Sequence, residues 1–243
     1  MLTGYNDAFI ISTEKRDEIL ANCQTEDERL RTAELIRPIL RGRDIKRYGY
    51  EWANLWLINT HNGIKGVKPR IDINDFPAVK AHLDQFWDKI SKRADKGDTP
   101  YNLRNCAYLD DFFKPKIMWK IIGYNINFSF DAGMMICNNA VNIMTGQRNQ
   151  LLQFLGLMNS KLFDWYLKLT SEAEVQGGGI QLYVTTLEKT LVKLDFPLNL
   201  SEIINQRVNG MVSDADIDKC IFESYKLTPK EIDYILTCRQ VDR

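Results

Sequence analysis

The sequence predicts an α+β protein, and three observations carry that expectation. Residues 114–131 and 133–143 are apolar, rich in β-formers and interrupted by Gly and Asn, the pattern of short antiparallel strands. Next, Leu151, Leu155, Met158, Leu162, Trp165 and Leu169 recur at spacings of four and three, which is one face of a helix. Beyond Pro197 the apolar spacing is helical. The expected organisation is therefore a domain over 1–197, with a helical segment over 198–243 packed on it.

Taken in chain order, Ala8-Phe9-Ile10-Ile11 reads as a strand within residues 6–12. Residues 14–36 are charged and predict one helix, with Ile19, Leu20, Cys23, Leu30, Ala33 and Leu35 turned inward and Pro38 as its stop. Residues 52–59 predict a strand, with Leu55 and Leu57 on one face and Trp56 and Ile58 on the other. Gly63, Gly66 and Pro69 mark 60–70 as a loop. Asn74 or Asp75 is the expected cap of a helix that Pro77 enters, with Val79, Leu83, Phe86 and Ile90 on its apolar face. Residues 92–100 read as a polar loop. The stripe from Leu151 to Leu169 is read as one long helix. Gly177, Gly178 and Gly179 then make a turn before a strand over 180–184. Leu200, Ile203, Ile204 and Val208 suggest one helix; Ile217, Ile221 and Tyr225 suggest another. Thr228-Pro229-Lys230-Glu231 has the form of a capping box that opens a last one.

Composition narrows the function classes. Lys+Arg and Asp+Glu are both 32, so any DNA-binding face has to come from local clustering of charge. Residues 1–194 carry 26 bases and 23 acids, which places the basic excess there. The five cysteines form no C-x-x-C unit and there are two histidines, which predicts reduced thiols in a cytoplasmic protein and no structural zinc. No apolar run reaches 18 residues, and no basic segment followed by an apolar one opens the chain. Neither a membrane span nor a signal peptide is expected.

Catalytic motifs are missing from the sequence. It contains no Gly-rich loop between a strand and a helix, no N-P-P-Y-type tetrapeptide, no phosphate-binding G-x-x-x-x-G-K-[ST], no G-x-S-x-G and no H-E-x-x-H. Asp110, Asp111, Lys114 and Lys116 have the composition of a metal-dependent nuclease site. Adjacent residues of a strand point to opposite faces, however, and a solvated loop is the alternative. His82 is expected to be half-buried on its helix, while His61 is a candidate contact to phosphate or base.

Several stretches resemble one family, in order along the chain. Leu2-Thr3-Gly4-Tyr5-Asn6-Asp7-Ala8-Phe9-Ile10 is similar to a T-G-x-N-x-A-F-I segment, and residues 37–48 to [KR]-P-x-L-x-G-R-D-I-x-R-Y. Phe113-Lys114-Pro115-Lys116-Ile117 resembles a K-P-K-I strand, and residues 155–162 an L-G-x-L-N-S-K helix. Residues 221–232 resemble a closing I-F-E-x-Y-x-L-T-x-x-E-I pattern. The family is the TaqI-like C-terminal specificity domain of type IIG restriction enzymes and related adenine methyltransferases. The catalytic half of such enzymes has no counterpart here, and Met1 stands where a parent chain would still be running, so the chain is expected to be an excised part.

The resemblance implies a division of labour. The missing half would bind S-adenosylmethionine, with magnesium as a further candidate cofactor, and flip the adenine. This chain would hold double-stranded DNA, catalyse nothing, bind no cofactor or metal, and act beside the catalytic region of its parent. Arg41, Arg43, Lys46 and Arg47 are candidates for the backbone or a groove, or for a turn in which Asp44 is structural. Lys65, Lys68 and Arg70 would suit phosphate. Gln147, Arg148, Asn149 and Gln181 have the donors that read base edges. The alternatives are a protein-interaction module of a restriction–modification or phage-defence complex, docking through its acidic helical tail, and the small nuclease at Asp110 and Asp111.

Overall fold

A computed structural model describes residues 1–237 except Ile126, 171–173, 176–178, Leu194 and Leu198, with Glu174 and Val175 described by their backbone alone. Gly177, Gly178 and Cys238 lie outside the described residues. The α+β class holds, with antiparallel-dominated sheets and helices packed on them.

The N-terminal apolar run divides into one helical turn, α1 (Asn6–Phe9), and a strand, β1 (Ile10–Ser12). The helix expected over 14–36 is also two, α2 (Thr13–Ala21) and α3 (Glu26–Leu35). Ser12 and Thr25 cap them, their side-chain oxygens accepting from the Lys15 and Glu28 N–H groups at 3.3 and 3.1 Å. Leu30, expected inside, is exposed. Glu28 is buried instead, accepting from the N–H groups of Gln24 at 2.9 Å and Ala78 at 3.0 Å. Pro38 does not stop a helix. It lies in β2 (Ile36–Leu40), opposite Trp56 of β3 (Leu55–Ile58). Its missing N–H is tolerated because β2 changes partner there: residues 36–38 pair with β3, whereas Ile39 and Leu40 pair with a later strand.

Pro77 opens α4 (Pro77–Asp84), and α5 (Trp87–Ile90) follows. Neither Asn74 nor Asp75 caps α4. Asp72 caps a preceding 3₁₀ turn, and the Ala78 N–H is met by Glu28. His82 is buried, not half-buried, with Nε2 3.0 Å from the Ala8 carbonyl oxygen.

Next come β4 (Lys116–Lys120), β5 (Ile122–Gly123), β6 (Phe128–Asp131), β7 (Ile136–Cys137) and β8 (Val141–Thr145). The long stripe is broken into α6 (Arg148–Met158) and α7 (Lys161–Thr170), and Leu169 at its end is exposed. Ser160 opens α7, its hydroxyl accepting from the Phe163 N–H at 3.2 Å. Then follow β9 (Glu174–Val175), β10 (Gly179–Gln181) and α8 (Val184–Glu188), so the strand expected over 180–184 ends at Gln181. The tail forms α9 (Leu200–Val208), α10 (Asp214–Ser224) and α11 (Pro229–Thr237). The Thr228 box forms, with Glu231 accepting from the Thr228 N–H at 2.7 Å and Thr228 from the Glu231 N–H at 3.4 Å.

Contacts divide the chain differently from the split expected near residue 197. The first unit is Met1–Arg41, Trp52–Phe113 and Met134–Asn139, and the second is Gly42–Glu51, Lys114–Gly133 and Ala140–Arg243. The first holds the sheet β1-β3-β2-β7, whose β2–β7 pair is parallel, over a core that includes Phe9, Leu57, Val79, Leu83 and Ile90. The second holds the antiparallel sheet β6-β4-β8 and the small sheet β5-β10-β9. Its core joins Ile117, Trp119 and Phe128 to Leu151, Leu155, Leu200, Ile204, Ile217 and Ile221, so the tail helices share one core with the sheet.

At Gly156, α6 and α9 approach so closely that a Cβ would lie 2.5 Å from Ile204 Cδ1. Gly156→Val is expected to destabilise by about 1–3 kcal/mol through overpacking. Chemical denaturation measures this, and an unchanged midpoint would show that the helices can part freely. Among the described residues, no helix is long and apolar enough to cross a membrane.

Candidate nucleic-acid interface

The second unit is organised by the elbow over 42–51. Gly42–Asp44 is a 3₁₀ turn with Asp44 buried, and the Asp44 carbonyl oxygen accepts from the Glu51 N–H at 2.9 Å. Tyr48 stands in left-handed backbone, φ +69°, which lets both of its peptide groups bond β6. Its N–H donates to the Phe128 carbonyl at 2.8 Å, and its carbonyl accepts from the Phe130 N–H at 3.3 Å. The Tyr48 ring is buried. Burial drives its ionisation far above the ordinary phenol range, and the Arg47 cation offsets this in part.

Three of the sequence stretches singled out above meet on β6. Tyr50 donates to Asp131 Oδ1 at 3.2 Å, and the fully buried Lys116 ammonium donates to Asp131 Oδ2 at 2.5 Å. The Asn159 side chain clamps Phe128, its Nδ2 donating to the Phe128 carbonyl at 2.8 Å and its Oδ1 accepting from the Phe128 N–H at 3.1 Å. Arg47 donates to the Asn159 carbonyl oxygen. Much of what is distinctive in these stretches is thus scaffold.

The candidate DNA contacts are distributed over both units. In the first, Arg41 is half-exposed after β2. Lys65 is exposed beside Gly66, whose φ of +76° makes the turn. Lys68 and Arg70 pair with Asp110 at 3.0 Å and Asp98 at 3.5 Å, which neutralises most of that loop. His61 lies beneath the loop, buried, its Nδ1 accepting from the Gly63 N–H at 3.1 Å. Burial lowers its basicity, and Lys68 adds to that. It holds the loop's shape.

In the second unit, Arg43 is exposed and forms no ion pair among the described residues. Lys46 pairs with Glu51 at 3.1 Å. Arg47 is turned toward the protein and pairs with Asp214 at 3.2 Å. Gln147, Arg148 and Asn149 are exposed where β8 turns into α6, with Gln147 at the cap position. Arg148 donates to Asn205 Oδ1 at 2.9 Å, with its guanidinium 4.8 Å over the Phe130 ring. Gln181 is half-exposed on β10 and donates to the Tyr183 hydroxyl.

The structure adds residues that the sequence did not point to. Tyr183 and, on the turn after β5, Tyr124 are exposed aromatic side chains of the small-sheet region, and no periodicity separates them from core tyrosines. Arg207 of α9 lies 4.8 Å over the Tyr48 ring, far from it in sequence.

The four nuclease candidates do not share one element. Asp110 and Asp111 lie on a 3₁₀ turn, Leu109–Phe113, and not on a strand, while Lys116 is buried against Asp131. Among the described residues, no group of three or more His, Cys, Asp or Glu side chains is placed to hold a metal ion. S-adenosylmethionine does not fit these residues either. The strand-to-helix turn after β8 has one glycine, Gly146, followed at once by Gln147 and Arg148, and Gly179 lies within a strand.

The sequence pattern of a family described as the TaqI-like C-terminal specificity domain matches residues 37–190, which is more than half of the chain. Among solved structures, the fold is similar to that of the type IIL restriction-modification enzyme MmeI, determined in complex with DNA, with a TM-score of 0.63 at 14% identity. That match covers 96% of this chain and 33% of the other, so the chain spans about a third of MmeI's length. No curated protein matches the sequence.

Proposed function

The chain belongs to the TaqI-like C-terminal specificity domain family, and from that premise we propose that it is a sequence-specific recognition module for double-stranded DNA. The observation that carries the reading is that the match over 37–190 spans the elbow, the Gly146–Asn149 turn and β10, which bear most of the exposed base-reading donors. Arg to guanine, and Gln or Asn to adenine, are the bidentate pairings such donors make. Arg43, Lys65 and Arg148 would set the register on phosphates.

The finer reading places this module in a cytoplasmic restriction–modification enzyme of type IIG kind that defends against phage. A catalytic region of the same parent would methylate adenine. S-adenosylmethionine would be bound there, as would any magnesium.

Binding of the chain to labelled duplexes, followed by fluorescence anisotropy, tests the proposal. Affinity is expected to fall at least about tenfold as salt rises from about 50 to about 200 mM, because each phosphate contact releases counterions. Failure to bind any duplex at low salt, with the catalytic region joined as well as without it, would sink the reading.

A further inference from the structure

The second unit gathers three arginines that are far apart in sequence. The Tyr48 ring, fixed to β6 through both of its peptide groups, has the Arg207 guanidinium 4.8 Å above it and that of Arg47 at 5.7 Å. Phe130 donates its backbone N–H to the Tyr48 carbonyl, and its ring has the Arg148 guanidinium at 4.8 Å. Asp214 bridges the first two, with Oδ1 2.6 Å from Arg207 Nε and Oδ2 3.2 Å from Arg47 Nε. It stands in the first turn of α10, which the Ser213–Asp216 capping box starts. Asn205, two residues before Arg207 on α9, accepts from Arg148. Asp218 lies deeper and accepts from the Lys161 N–H at 2.7 Å.

Arg47 and Arg207 therefore share the Asp214 carboxylate, and Arg148 adds a third guanidinium on the β6 residue bonded to Tyr48. Burial raises the pKa of Asp218, and the Lys161 N–H and the Arg47 cation oppose that rise. Stacking on a ring holds a guanidinium by its face, limits its rotamers and leaves N–H edges for an oxyanion. Arg47, Arg207 and Asp214 keep 30%, 27% and 33% of their side chains exposed, so each side chain meets solvent in part. A phosphodiester, like the Asp214 carboxylate, offers two oxygens sharing one negative charge, the partner that paired guanidinium forks bind best.

We propose that Arg47, Arg148 and Arg207 form a built site for a backbone phosphate of duplex DNA, with Asp214 as the resident anion that pre-orders the pair and tempers its charge. This rests on the reading of the chain as a DNA-recognition module. The site carries no base preference, so it positions the duplex and leaves sequence to other donors. It also gives the C-terminal helices a share in the interface, because Arg207 and Asp214 come from α9 and α10.

The test uses the whole chain and two duplexes of unrelated sequence, titrated across a salt series. Arg207→Gln is expected to weaken binding to both by about five- to tenfold and to make the log–log salt slope shallower by about one contact. Asp214→Asn is expected to tighten binding to both at least about twofold, which no purely structural ion pair would do. Thermal unfolding checks that each variant folds. Should Arg207→Gln not fold, Arg148→Gln carries the same expected slope change. An unchanged slope in the folded arginine variant, or no tightening in Asp214→Asn, overturns the site while wild-type binding leaves the module reading standing. Wild-type protein that binds neither duplex overturns both.

Discussion

Asp131→Ala is expected to destabilise the second unit by about 3–5 kcal/mol, because it breaks a buried ion pair. Lys116 and Asp131 side chains are 0% and 1% exposed, and their charged atoms are 2.5 Å apart. Removing the carboxylate takes away an ion that offsets the desolvation of the ammonium. It also removes the acceptor of the Tyr50 hydroxyl and of the Gly133 N–H, the latter at 3.0 Å. The exposed pair Lys68–Asp110 is the internal control: Asp110→Ala is expected to change stability by less than about 1 kcal/mol. The double variant Lys116→Met with Asp131→Leu should recover part of the loss, since it removes both charges together while the Tyr50 hydroxyl and the Gly133 N–H still lose their acceptor. Urea denaturation followed by tryptophan fluorescence reports all three, with Trp119 beside Lys116's strand neighbours in the core. A single-variant loss below about 1 kcal/mol would mean that the pair is relaxed by water and organises nothing.

How much of this fold was legible depended on whether the signal was local. The capping box at Thr228, the Pro77 entry to α4 and the strand at Leu55–Ile58 are encoded within a few residues, and all three form. The breaks that the sequence hid are set by distant partners. The α6–α7 stripe keeps its apolar spacing straight through Asn159, yet the helix stops there because the Asn159 side chain leaves it for Phe128, 31 residues away. Glu28 is buried because it serves the Ala78 N–H, and Leu30 is exposed because that turn of α3 faces solvent. Pro38 is a strand residue because the sheet changes partner beneath it, which no window of sequence contains.

The candidate site was legible as a set of donors and not as a surface. Exposed Arg43 and Lys65 are placed where a turn and a loop are expected, and exposed Gln147 and Asn149 at the start of α6. Arg47 lies in a basic run that reads as a free patch, but its neighbours in space are Asn159 and Asp214, and only the fold turns it inward. Arg207 was silent because a single arginine on an amphipathic helix is ordinary; its position over Tyr48 gives it meaning. Of the stretches that carry the family resemblance, residues 155–160 are buried throughout, and Ile39, Leu40, Asp44, Ile45 and Tyr48 are buried in another. That is consistent with a scaffold held in common, on which exposed residues are free to differ.

Asn159→Asp is expected to show how much the clamp on β6 is worth, and the effect should depend on pH. The substitution keeps the shape and the oxygen that accepts from the Phe128 N–H at 3.1 Å. It replaces the NH₂ that donates to the Phe128 carbonyl at 2.8 Å, so an ionised aspartate would set oxygen against oxygen in a buried place. Arg47 bonds the carbonyl of residue 159, not its side chain, and so does not neutralise the new charge directly. The protonated acid restores a donor. Its folded pKa should therefore lie above the unfolded value of about 3.9, which means that stability is retained below about pH 4 and lost as pH rises through the folded pKa. At pH 7 the expected loss is about 3 kcal/mol or more, from a lost hydrogen bond to a buried carbonyl together with a buried charge. Denaturant midpoints of wild-type and variant chains between about pH 4 and pH 7 should diverge steadily, by an amount tied to that pKa difference. Parallel curves would show that the side chain swings into solvent and that β6 is held without it.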